Sequence, residues 1–112
     1  MLRIERTAGG DGRAFRLIGE LEGGAQRQLQ RILAGPASDG GLLTIDLSGL
    51  GACDADCARL LVTLTKRARI SDGNLVLTSP TAEVLHVLTT IAAPDDLCIV
   101  DAAESAPAQA AP

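Results

Sequence analysis

The sequence predicts an α/β domain, a mixed β-sheet of about five strands that opens with an amino-terminal hairpin and is covered by α-helices. Three observations predict it. The chain is 112 residues long, the size of one domain. Its apolar residues recur at spacings of two in some segments and of three and four in others. The resulting order is strand, strand, helix, strand, helix, strand, helix, strand, and a helix between two strands implies parallel pairing.

Residues 2–6 alternate, with Leu2 and Ile4 on one side, as in a half-buried strand. Gly9-Gly10-Asp11-Gly12 supplies residues suited to a tight reversal. The second strand runs from about Ala14 to Leu21, with Phe15, Leu17, Gly19 and Leu21 facing inward, and Gly23-Gly24 ends the hairpin. A first helix over Ala25 to Ala34 places Ala25, Leu29, Ile32 and Leu33 on one face. Gly35-Pro36 is read as its stop. Leu42 to Leu47 is almost continuously apolar, which predicts a central strand covered on both faces.

The strongest helical pattern covers 54–70, with Cys57, Leu60, Leu61, Leu64 and Ala68 as its apolar stripe. Asp54 and Asp56 begin it, and Lys66, Arg67 and Arg69 end it, which suits the helix dipole at both ends. Asp72-Gly73 turns into a strand at Leu75 to Thr78. Ser79-Pro80 is read as the cap and first turn of a third helix, with Val84, Leu88 and Ile91 as its apolar face. Pro94 closes that helix, and Leu97 to Val100 forms the last strand. The segment 102–112 has Ala, Pro, Ser and Gln but no large apolar residue, so the folded domain is expected over 1–101, followed by a disordered Ala/Pro-rich tail.

Composition narrows the function. Hydrophobic residues make up 46% of the chain, enough for a core, and Phe15 is its single aromatic, so that core is aliphatic. A net charge of −4 and the lack of stacking platforms argue against nucleic acid as a partner. Met1 to Arg6 alternates instead of opening an apolar leader, and no run reaches the roughly 20 apolar residues of a membrane span. A cytoplasmic chain without direct membrane insertion is expected. Three cysteines, an odd count, do not form a secreted disulfide framework.

Three local sequences resemble a known family. Gly19-Glu20-Leu21-Glu22 is similar to its Gly-Glu-Leu-Asp at the end of the second strand. Ile45-Asp46-Leu47-Ser48-Gly49-Leu50 is similar to its central strand and loop. Asp54-Ala55-Asp56-Cys57 falls where the family has Asp-Ser-Ser-Gly ahead of an apolar helix. The family is the STAS domain, named for sulfate transporters and anti-sigma factor antagonists, and the resemblance spans residues 1 to about 100.

The resemblance implies a protein–protein contact without catalysis. In the antagonists, this turn docks on a kinase-like anti-sigma factor, and phosphate on the first Ser blocks docking. Here that position is Ala55, which has no hydroxyl, so the switch is absent. Ser48, Gly49, Asp54, Ala55, Asp56, Arg59, Ser79 and Thr81 are the implied contact residues, with Glu22 at the margin. One reading is a constitutive binder of an anti-sigma factor, regulating transcription. In another, Asp56 imitates the phosphorylated state, although one carboxylate offers less charge than phosphate. A plainer reading makes Asp54 or Asp56 a helix cap, and capping is compatible with docking. A different class of role is an accessory STAS subunit of a transporter with an ATPase, or of an assembly with other STAS proteins, neither of which needs a phosphoacceptor.

Enzyme readings find little support. Cys53 and Cys57 sit near a helix start, but the one histidine, His86, falls on another helix with no orienting partner in view. Cys-x3-Cys with one remote Cys lacks the paired spacing of a zinc site. No Gly-x4-Gly-Lys-Ser/Thr loop for nucleotide phosphates occurs. No catalytic residue, metal or cofactor is expected.

Overall fold

The computed structural model describes residues 2–7, 14–93 and 95–100. The strands are β1 (Leu2–Thr7), β2 (Ala14–Leu21), β3 (Leu42–Cys53), β4 (Asn74–Thr78) and β5 (Cys98–Val100). The helices are α1 (Ala25–Ala37), α2 (Ala55–Ile70) and α3 (Ala82–Ile91). The sheet has five strands in the order β1-β2-β3-β4-β5. β1 is antiparallel to β2, and the remaining neighbours are parallel. The mixed sheet with covering helices is the one expected; the hairpin turn at 9–12 and the segment 102–112 lie outside the described residues.

Strand order that follows chain order has a consequence. Each crossover from β2 onward is of the same right-handed kind, so all three helices land on one face of the sheet. α1 packs beside α2, and α2 beside α3. Phe15, Leu17 and Leu21 of β2, Leu43, Ile45 and Leu47 of β3, and Leu75 and Leu77 of β4 are buried beneath them. They are joined by Leu29 and Leu33 of α1, Leu61 and Leu64 of α2, and Val84 and Leu88 of α3. The opposite face carries Arg16, Asp46, Thr78 and Val100 in one cross-strand row. There Arg16 Nε donates to Asp46 Oδ2 at 3.2 Å. The apolar run at Leu42 therefore does not mean a strand covered twice: Leu42 itself is 59% exposed.

Three boundaries differ from expectation. β3 continues to Cys53, because its second half pairs with Ile18 to Leu21 after two register shifts, at each of which β3 carries the extra residue. One shift follows Gly19, whose φ of +108° breaks simple alternation there. α1 runs through Gly35 and Pro36 to Ala37. The residue before a proline normally leaves the helical region partly because of its Cβ, and Gly35 has none. Burial of Ala37 rewards the extra turn, and Ser38 Oγ donates to Ala34 O at 2.9 Å at its end. The buried stripe is accordingly Ala25, Leu29, Leu33 and Ala37, with Ile32 turned out to 37% exposure. Finally, Thr81 and not Ser79 caps α3. Ser79 adopts a φ of +55° and donates its backbone N–H to Val100 O at 3.0 Å, while Thr81 takes the extended geometry of a cap. The helix ends at Ile91, before Pro94.

Candidate protein-docking site

The residues singled out in the sequence gather where β2, β3 and β4 end and the helices begin. β3 outruns β4, whose pairing with it stops at Asp46 and Thr78. The overhang Ser48–Cys53, which lies beyond the strand expected over Leu42 to Leu47, is strand. Its inner side is closed by buried Leu50 and Cys53, and its outer side shows Ser48, Gly49 and Gly51. Asp46 Oδ1 accepts from Ser48 N at 2.8 Å, within the register shift between Asp46 and Gly49. Partial burial pushes the Asp46 carboxyl up, but hydrogen bonds from Ser48 and Arg16 outweigh it and hold the group below its ordinary range. Gly49 is a packing position: a Cβ there would lie 3.1 Å from Ile18 Cγ1 and 3.2 Å from Leu17 O.

Asp54 ties the junctions together. Its N–H donates to Leu21 O at 3.0 Å. Its Oδ1 accepts from Cys57 N at 2.8 Å, capping α2, and its Oδ2 accepts from Gly23 N at 3.0 Å, ahead of α1. The Gly23 and Cys57 bonds hold its carboxyl below the ordinary range. Both oxygens are thus spent inside the molecule, and Asp54 positions the surface instead of presenting itself to a partner. Thr81 makes a third tie, since Oγ1 donates to Leu50 O at 3.3 Å and also accepts from Val84 N at 3.4 Å.

What faces outward is Asp56 and Arg59. Arg59 Nη1 donates to Asp56 Oδ1 at 2.9 Å, with side chains 63% and 72% exposed respectively. Such a pair contributes about 0.3–0.5 kcal/mol and leaves both groups available. Ala55 sits half-buried at the first helical position between them and Asp54, and Glu22 is exposed beside Gly23. Ser79 stands apart, on the β5 side of the sheet end through its bond to Val100.

Cys53 and Cys57 fit packing better than nucleophilic chemistry. Cys57 is fully buried, and desolvation together with the Asp54 carboxylate pushes its thiol up to about 12. Cys53 is pushed up to about 11, again first by burial and then by Asp54. Neither offers thiolate at neutral pH. His86 is exposed on α3. Among the described residues, no three His, Cys, Asp or Glu side chains are grouped to hold a metal ion, and no helix is long and apolar enough to cross a membrane.

A family model described as "Mlab, STAS domain" matches residues 5–99, most of the chain. The chain belongs to the STAS family. STAS domains typically act as binding modules in protein–protein interactions, and the described architecture agrees with that class. No curated protein compared with the chain matches it. In this STAS domain the sequence leaves the cap of α2 open between Asp54 and Asp56; the structure makes it Asp54 and adds a Gly23 tie that the sequence does not signal. The cap has a local signal in a carboxylate three residues ahead of a helical N–H; the tie joins residues 31 apart and has none.

Proposed function

We propose that this STAS domain is a constitutive docking module whose contact surface is the β3 overhang from Ser48 with the first turn of α2 through Arg59. The observation that supports it most directly is the internal use of Asp54. Its two accepted bonds order the turn that presents Ala55, Asp56 and Arg59, so a partner meets a surface whose conformational cost is already met. Ala55 at the family's phosphoacceptor position leaves nothing there for a kinase to modify. The partner we assign is a kinase-like anti-sigma factor, held without a phosphorylation switch, which places the protein in transcriptional control in the cytoplasm. Asp56 is paired with Arg59 and supports docking in this reading instead of mimicking phosphate.

A second reading has a specific observation in its favour. The matching family model is described by a Mlab STAS domain, which together with Ala55 fits an accessory subunit bound to a transporter ATPase. One experiment separates the two. The chain and its Ala55→Ser variant are offered, with ATP, to the anti-sigma kinases and transporter ATPase subunits encoded in the same genome, and binding and phosphate incorporation are measured. The anti-sigma reading expects wild type to bind without incorporation, and Ala55→Ser to be phosphorylated and released. Stable binding to an ATPase subunit alone, indifferent to Ala55→Ser, would replace it with the second reading. In either complex, Arg59→Glu weakens binding by roughly tenfold or more while the fold stays intact. Wild-type affinity in Arg59→Glu would remove this surface from consideration.

A further inference from the structure

The charges of the protein are sharply segregated. α1 and α2 together hold six of the ten Lys and Arg residues and one of the fourteen Asp and Glu residues. A chain with net charge −4 thus carries a strongly positive helical layer. Two of those six cations are committed, Arg59 to Asp56 and Arg69 to Asp95 O at 2.6 Å. Arg27 and Arg31 of α1 and Lys66 and Arg67 of α2 make no ion pair among the described residues, and all four are exposed.

Helical spacing fixes where these four point. With the core stripe of α1 on Ala25, Leu29, Leu33 and Ala37, Arg27 and Arg31 fall on the opposite side, one turn apart. On α2, Lys66 and Arg67 share the outer side with Thr63 and Ile70, and these four with Ser71 line a shallow dish. Ile70 is 84% exposed, the most exposed large hydrophobic residue described. Because α1 and α2 pack side by side on one sheet face, the two outer sides form one broad surface. It has guanidinium and ammonium groups outside any ion pair among the described residues and an unburied aliphatic side chain; within the two helices the single carboxylate is Asp56, at its edge, and Glu22, Asp39 and Asp72 border the helix ends.

We infer that this outer face of α1 and α2 adsorbs to the anionic headgroup surface of a lipid bilayer. Charge complementarity carries the assignment: four uncompensated cations on one face match a surface of phosphate oxygens, and guanidinium groups bind such oxygens in pairs. The exposed Ile70 between cationic neighbours matches a shallow apolar contact at the headgroup boundary. The contact is peripheral and reversible. It is independent of the docking reading above, because none of its four cations belongs to the β3 overhang or the first turn of α2.

Vesicle co-sedimentation tests it with the full chain. The probes are vesicles of phosphatidylcholine mixed with phosphatidylglycerol, against phosphatidylcholine alone. The chain is expected to pellet with the anionic vesicles only, and to be released by high salt. Each neutralised cation lowers partitioning by roughly fivefold, so Arg27→Gln/Arg31→Gln and Lys66→Gln/Arg67→Gln each lose roughly 25-fold. Arg3→Gln, which removes a cation from β1 outside this face, keeps wild-type partitioning. Far-UV circular dichroism checks that each variant is folded. No sedimentation with anionic vesicles, or equal losses in Arg3→Gln and the helix variants, would overturn the inference. Retention on poly-L-glutamate without vesicle binding would overturn it too and give the face to an acidic protein.

Discussion

The starts of α1 and α2 are chemically opposite, although both helices leave neighbouring strands at the same end of the sheet. α2 has a side-chain cap in Asp54, an acidic residue in its first turn and two arginines in its last. α1 has no side-chain cap and no acidic residue in its first turn. Its opening is a backbone turn, with Ala25 N donating to Glu22 O at 3.1 Å and Gln26 N to Gly23 O at 3.2 Å. The difference is resolved by sharing, since the Asp54 carboxylate that caps α2 also holds Gly23 at the entrance to α1. One side chain therefore organises two helix starts, and the capped start is the one proposed to meet a partner.

The sharpest way to break that comparison is Asp54→Ala. It removes a cap, which costs about 0.5–2 kcal/mol, and leaves the Gly23 N–H to water, so the total expected loss is about 1.5–3 kcal/mol. Urea unfolding should show a lower midpoint with an unchanged slope. The effect also depends on pH with a definite sign. The folded-state pKa of Asp54 is lowered, so its contribution is present above the ordinary carboxylate range and is lost as pH falls through and below that range. The stability gap between wild type and Asp54→Ala should begin to narrow as pH falls below about 4 and go on narrowing toward more acidic pH. A constant gap down to strongly acidic pH would mean that the carboxylate charge contributes nothing to the tie.

The same contrast explains what is legible in the sequence. The α2 cap is local, and the periodicity of Cys57, Leu60, Leu61, Leu64 and Ala68 matches the buried stripe. Features set by distant neighbours are not legible. Gly49 and Gly51 suggest a loop, yet pairing with β2 makes their segment a strand. Gly35-Pro36 suggests a helix stop, yet burial of Ala37 carries α1 past it. The apolar run at Leu42 cannot reveal that the helices all fall on one face, because strand order decides that. Of the residues proposed for the contact, Asp56 and Arg59 are exposed, Gly49 is exposed but leaves little room for a Cβ, and Ser79 stands toward β5.

A smaller effect is expected at the third helix start, which lies between the other two in character. Thr81 caps α3 through a long 3.4 Å bond from Val84 N and adds the 3.3 Å bond to Leu50 O. Both are near the upper limit of hydrogen-bond length. Thr81→Ala should cost about 0.5–1 kcal/mol by thermal or urea unfolding, less than Asp54→Ala. A loss as large as that of Asp54→Ala would mean that the Leu50 tie, and not the cap, holds the β3 overhang in place.

The smallest effect, and the one with the most informative sign, belongs to Gly24. As the residue before α1 it holds the N-cap position, where glycine is ordinarily preferred to alanine. That preference assumes the extended backbone of a cap, but Gly24 has φ −63° and ψ −14°, already helical. A Cβ at Gly24 would meet nothing within 4 Å. The helical backbone should then decide, and Gly24→Ala should stabilise the protein by about 0.4–1 kcal/mol by restricting the unfolded chain. Thermal unfolding monitored by circular dichroism reads the sign directly. A lower melting temperature would show that the amides at the start of α1 need the open access to water that glycine gives, and that the backbone turn from Glu22 and Gly23 does not replace a cap.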